Sequence, residues 1–134
     1  MPNTKQEHDT IEKSPHYNTR KVEAITVIRH MDFATGCAFK YVWRHGLKDA
    51  TTVEKGKRNY YIRDALIHRA GTMSEDTALR LTRVLSQVAD EFDKEQFELL
   101  LALVWASAGE YDMLSDRAQR LSLFPSAVES LVLG

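Results

Sequence analysis

Cys37 is the single cysteine among 134 residues, so the chain can form no intrachain disulfide and no cysteine-based zinc cluster. Nothing in that usage calls for secretion. Long apolar runs are also missing: the longest, Leu99 to Ala106, falls well short of the roughly 20 residues that a helix needs to cross a bilayer. No basic-apolar-small leader opens the chain, and the expectation is a soluble, cytoplasmic protein without a membrane partner. The histidines His8, His16, His30, His45 and His68 never recur at HxxH or HxxxH spacing, so no two of them share a helical face as metal ligands. GxxxxGK[ST], GxGxxG, GxSxG and HExxH are all absent, which excludes the common phosphate loops and the familiar hydrolase and zinc signatures.

Composition is that of an ordinary globular chain, with 43% hydrophobic and 28% charged residues. The net charge of −1 hides an uneven split. Residues 1–71 carry 13 Lys/Arg against 8 Asp/Glu, or +5, whereas residues 72–134 carry 5 against 11, or −6. An anion site belongs in the basic half. The chain divides accordingly into a loose tail over 1–13, a basic helical module over 14–71 and an acidic and apolar helical extension over 72–134, all within one domain.

Apolar periodicity predicts an all-α fold, a compact bundle of about six short helices. Val22, Ile25 and Ile28, with Val27, mark a first helix from Arg20 to about Met31. Asp32 and Thr35 compete to cap a second, which runs to about His45 and ends on Gly46 as a left-handed residue. Thr51-Thr52-Val53-Glu54 supplies a cap for a third, about Val53 to Arg69, closed by Gly71. Thr72-Met73-Ser74-Glu75 has the capping-box pattern ahead of a fourth helix, in which Ala78, Leu81, Val84, Leu85, Val88 and Phe92 repeat at three and four. Asp93 with Gln96 opens a fifth that leaves almost no polar face, so it is either central and buried or half of a subunit interface. Gly109 closes it. Leu114 to Leu123 and Pro125 to Leu133 read as two short final helices.

One stretch stands out for chemistry, Phe39-Lys40-Tyr41-Val42-Trp43-Arg44-His45-Gly46-Leu47-Lys48. Lys40 and Arg44 project from one helical face about 6 Å apart, with Lys48 just beyond the terminus. Three cations so placed suit an anion, phosphate above all, while Trp43 or Tyr41 either stacks on a base or packs inward. On the third helix Glu54, Lys57, Tyr61 and His68 share a stripe, with Lys55 and Arg58 to either side. The carboxylates of helices four and five lack the paired ExxE and ExxD arrangement of all-α pyrophosphatases and read as a solvated face.

Taken together, these elements resemble a phage-encoded family, long of unknown function, whose characterised representative is a nucleoside-monophosphate kinase without a phosphate-binding loop. Ser14-Pro15-His16-Tyr17 looks like its "P-x-HY" element and Val22-Glu23-Ala24-Ile25 like its "IEAI" helix. The run from Phe39 to Lys48 looks like "LKYxxRxGxK", and Glu54, Lys57 and Tyr61 fit "DLxKAxxY". Lys55 and Arg58 stand where that pattern carries Leu and Ala. The resemblance implies phosphoryl transfer from a nucleoside triphosphate, ATP or a dNTP, to a (deoxy)nucleoside monophosphate in the cytoplasm of an infected host cell. It assigns Arg44, Lys40 and Lys57 to catalysis, with Lys48 also on phosphate. Glu23 or Glu54 orients those cations or a sugar hydroxyl, and Tyr61, Tyr17 or His16 contacts base or substrate. Magnesium is an optional participant that the sequence itself does not indicate. The alternatives are a non-catalytic nucleotide- or nucleic-acid-binding module using the same basic face, and a phage inhibitor of a host protein using the apolar second half. The uniformly apolar fifth helix also suggests a homo-oligomer.

Overall fold

The computed structural model describes residues 21–47 and 50–123. The expectations placed on His16, Tyr17, Lys48 and the Pro125 to Leu133 helix lie outside them. The fold is all-α, and the described residues form six helices: α1 (Ala24–Ile28), α2 (Phe33–His45), α3 (Thr52–His68), α4 (Glu75–Ser86), α5 (Lys94–Ser107) and α6 (Asp112–Arg120), plus one 3₁₀ turn (Ala89–Glu91). No strand occurs among the described residues, and no helix among them is long and apolar enough to cross a membrane.

Helix α5 lies at the centre, packed against α2, α4 and α6. Leu99, Leu100, Leu103 and Val104 are fully buried, and each such side chain contributes about 1.5–3 kcal/mol by leaving water. The helix takes the central position the sequence allowed for it, with Phe97, Leu101 and Trp105 partly buried.

Starts and stops follow local chemistry, with departures. At α2, Asp32 is the cap: its Oδ2 accepts from Thr35 N at 3.4 Å and its Oδ1 from Thr35 Oγ1 at 2.7 Å. The two competing residues thus share one cap. Buried Ser107, at the far end of α5, donates to the same Oδ1 at 2.8 Å and accepts from Asp32 N at 3.1 Å, tying the start of α2 to the end of α5.

Helix α1 is shorter than expected. Beyond Ile28 the chain tightens into i to i+3 bonds, His30 N to Val27 O at 3.1 Å and Met31 N to Ile28 O at 2.9 Å, before Asp32 restarts it. Its buried side is Ala24 and Val27, while Ile25 is exposed. Gly36 permits the close approach of α2, since a Cβ there would lie 3.3 Å from Ile28 Cγ2.

Gly46 ends α2 at φ 66° and ψ −152°, a conformation essentially restricted to glycine although outside the left-handed helical basin. Helix α3 ends differently from the expectation. Its left-handed residue is Arg69, at φ 48° and ψ 55°, stabilised by Nε donating to Leu66 O at 3.0 Å and by its guanidinium lying over the Tyr111 ring. Gly71 instead serves close packing, because a Cβ there would meet Ser107 O at 2.4 Å and only glycine lets this segment lie against the end of α5. Its N–H donates to Tyr111 Oη at 2.9 Å. The cap of α4 is Ser74, accepting from Thr77 N at 3.1 Å, rather than Thr72. Met73 N donates to Ser107 O at 2.9 Å, and with the close approach of Gly71 this lays the segment before Ser74 along the end of α5 in non-helical form.

Candidate functional site

Helices α2 and α3 form an antiparallel hairpin. At its loop end His45 pairs with Glu54; further along, Phe33, Cys37 and Tyr41 surround Tyr61. The α3 terminus is built by a full capping box: Glu54 N donates to Thr51 Oγ1 and Thr51 N to Glu54 Oε1, both at 3.1 Å. Those bonds to Thr51 hold the Glu54 carboxyl below the usual carboxylate range, and the positive charges of His45 and Arg44 lower it further. Glu54 is therefore an anion set against the end of α2, facing Arg44 and His45. Of the two carboxylates proposed to orient the cations, this one feels the charge of Arg44. Glu23 sits at the start of α1, where its backbone carbonyl accepts from Thr26 N at 3.0 Å and its side chain makes no cap.

Lys40 and Arg44 are half-buried on α2, and Lys57 is exposed on α3, one turn from Glu54 and one from Tyr61. Tyr61 is the hub of an aromatic group. Its ring stacks on Tyr41 at 6.4 Å between centroids and 13° between planes, and meets Phe33 at 5.8 Å and Tyr60 at 5.3 Å edge-on. Phe33 is 77% exposed and Tyr60 53%, and the Arg63 guanidinium lies 5.5 Å from the Tyr60 centroid. The rings open to solvent are thus Phe33 and Tyr60, which periodicity did not mark. Their signal was present only as an aromatic at the first position of α2 and a Tyr-Tyr pair on α3. Trp43 resolves the other way. It is fully buried, stacked on Phe39 at 5.6 Å and tilted against Phe92 at 5.0 Å, so Tyr41 alone of that pair belongs to the outer face.

Cys37 lies beside the Tyr61 hydroxyl. Burial pushes its thiol up despite the opposing pull of Lys40, and Cys37 in turn raises the Tyr61 phenol. Both are neutral at physiological pH, so the face offers cations and rings rather than a nucleophilic thiolate. Among the described residues no three His, Cys, Asp or Glu side chains converge to hold a metal ion. His68 continues the α3 stripe only to pair with Asp64 at 3.5 Å.

This hairpin is also where the chain finds relatives. Residues 11–63 are similar to the DUF3310 family, described as proteins of unknown function. The matched segment takes in Glu23, Lys40, Arg44, Glu54, Lys57 and Tyr61. No curated protein and no solved structure matches the chain.

Arg58 is the residue whose place sequence reasoning missed. It is 4% exposed, turned beneath α3 rather than to one side of the charged stripe.

Proposed function

We propose that the chain is a nucleotide-binding phosphotransferase, moving a phosphoryl group from a nucleoside triphosphate to a (deoxy)nucleoside monophosphate at the α2–α3 face. The observation that carries this is the juxtaposition of Lys40, Arg44 and Lys57 with the aromatic group around Tyr61, on the segment that bears the kinase-like pattern. Phosphoryl transfer asks a protein mainly to position two phosphates and offset their charge. Arg44, steadied by Glu54, supplies a planar fork for phosphate oxygens, and Lys40 and Lys57 supply mobile charges on either helix. The rings give a base a surface on which to stack. An oxygen of the monophosphate attacks the terminal phosphorus of the triphosphate, the bond to the bridging oxygen breaks, and two diphosphates leave.

The deciding experiment is a chromatographic assay of purified protein with ATP and each common nucleoside monophosphate. Diphosphate is expected from the wild type and not from Arg44→Ala, while Lys5→Ala, in the expected tail, retains it. Absence of diphosphate with every acceptor overturns the reading.

The exposed rings of Phe33 and Tyr60, beside Arg63, favour one second reading, a module binding single-stranded nucleic acid without turnover. It requires affinity that falls steeply with salt. A host-protein inhibitor would need apolar surface in the second half, where Leu79 and Met113 are exposed while α5 buries Leu99, Leu100, Leu103 and Val104.

A further inference from the structure

Helix α3 has a second flank, turned away from the hairpin face. At 100° per residue, Lys55 and Asn59 lie on the side of α3 roughly opposite Lys57 and Tyr61, with Arg58 and Ile62 buried between the two flanks. There the helix borders a cleft of about 320 Å³, lined by Leu47, Lys55, Arg58, Asn59, Glu95 and the segment Leu121 to Leu123.

Arg58 is the anomaly in this cleft. Its side chain is almost wholly buried, yet its partners are neutral: Nε donates to Asn59 Oδ1 at 3.0 Å and Nη1 reaches Gly46 O at 3.5 Å. Among the described residues no carboxylate pairs with it. Burial alone pulls its proton affinity below the ordinary arginine value, with no anion to raise it again. A buried charge without a counter-charge is costly, and such groups in native proteins are paired or hold a ligand. Lys55 adds a second cation to the same cleft, and Leu47, Leu121 and Leu123 give it an apolar wall.

We infer that this cleft is a binding site for a small oxyanion carried on an apolar body, a phosphate monoester or a carboxylate, with Arg58 and Lys55 as its anion-binding pair. Asn59 holds the guanidinium fork in place and the leucines take the body of the ligand. Glu95, exposed on the rim, sets an upper limit on ligand charge by repelling a second anionic group. The site stands whether or not the hairpin face is a kinase centre, because the two flanks share no side chain.

The test is a titration of the full chain with phenyl phosphate, benzoate and inorganic phosphate, followed by ¹H–¹⁵N spectra that include the arginine Nε–H signals. Saturable movement of the Arg58 Nε–H and of the Lys55, Asn59 and Leu121 to Leu123 amides is expected. Phenyl phosphate should bind more tightly than inorganic phosphate, and its rank against benzoate identifies which oxyanion the pair prefers. Lys55→Met, which leaves Arg58 in place, should weaken binding about tenfold. Glu95→Gln should tighten it, and Arg58→Met should abolish it. Lys55→Met and Glu95→Gln keep the inference falsifiable should Arg58→Met not fold. No saturable movement of the Arg58 signal, or movement confined to Phe33, Lys40 and Tyr61, overturns the site. A Glu95→Gln chain that loses stability and binds no more tightly also overturns it, by making Glu95 the counterion of Arg58.

Discussion

At the residue scale, two glycines on the basic half make opposite predictions from one piece of geometry. Gly71 has no room for a methyl group, because Ser107 O and Ala106 O lie 2.4 and 2.6 Å from where its Cβ would stand, and both are backbone atoms that cannot swing aside. Gly71→Ala should cost about 1–3 kcal/mol or more, as overpacking does, and would also disturb the bond from its N–H to Tyr111. Gly56, inside α3, has nothing within 4 Å of a built Cβ and is exposed. Gly56→Ala should therefore stabilise the chain by about 0.5–1 kcal/mol by lowering the entropy of the unfolded state. Urea unfolding of the two variants against wild type checks both signs. Equal effects would mean that the close approach at Gly71 relaxes in solution.

At the scale of elements, the cap of α3 links acid to stability. The Glu54 carboxyl is held below its unfolded value, so its contribution is present above the ordinary glutamate range, about 4.3, and is lost as pH falls through the lower folded value. The thermal midpoint of the wild type should drop across that window by more than that of Glu54→Gln, which cannot titrate at this position. Parallel curves would remove Glu54 from the account. The same cap illustrates what sequence can and cannot tell. Thr51 and Glu54, Asp32 and Asp93 were legible because short polar side chains before apolar periodicity satisfy the free N–H groups of a helix start. The cap of α4 was misplaced because the segment around Gly71 and Met73 is laid against the end of α5, more than thirty residues later in the chain. Likewise, spacing paired Gln96 with Asp93, whose Oδ1 accepts from Gln96 N at 2.8 Å, but not the buried side-chain amide of Gln96 with Val42 O, to which it donates at 2.8 Å on another helix. In the candidate site, the cation and carboxylate positions were visible as helical spacing on α2 and α3. The Phe33–Tyr61–Tyr41 contacts and the burial of Arg58 depend on how the helices meet, which spacing does not encode.

At the scale of the molecule, the described residues of the basic and acidic halves are joined by contacts other than ion pairs. Among the described residues no ion pair crosses from one half to the other: His45 pairs with Glu54, and Arg117 and Lys94 pair with Glu98. The seam is made of hydrogen bonds, ring contacts and apolar packing: Ser107 on the Asp32 carboxylate, Gln96 on Val42, Gly71 on Tyr111, the Arg69 guanidinium over the Tyr111 ring, and Phe92 against Trp43. Exposed ion pairs would be screened by salt, whereas a seam of partly buried hydrogen bonds and apolar packing is screened much less. The two halves should therefore unfold as one cooperative unit at low and high salt alike. The two tryptophans make this measurable, because Trp43 belongs to α2 and Trp105, whose Nε1 donates to Thr82 Oγ1 at 3.1 Å, to α5. In Trp43→Phe and in Trp105→Phe, the remaining fluorophore should lose its native signal at the same denaturant concentration as the far-ultraviolet circular dichroism. Leu103→Ala, placed at the centre of α5, should move both transitions together by about 2–5 kcal/mol. A Trp105 transition displaced from that of the backbone, or a Leu103→Ala effect felt by Trp105 alone, would show that the acidic half folds by itself and that the seam is only a contact.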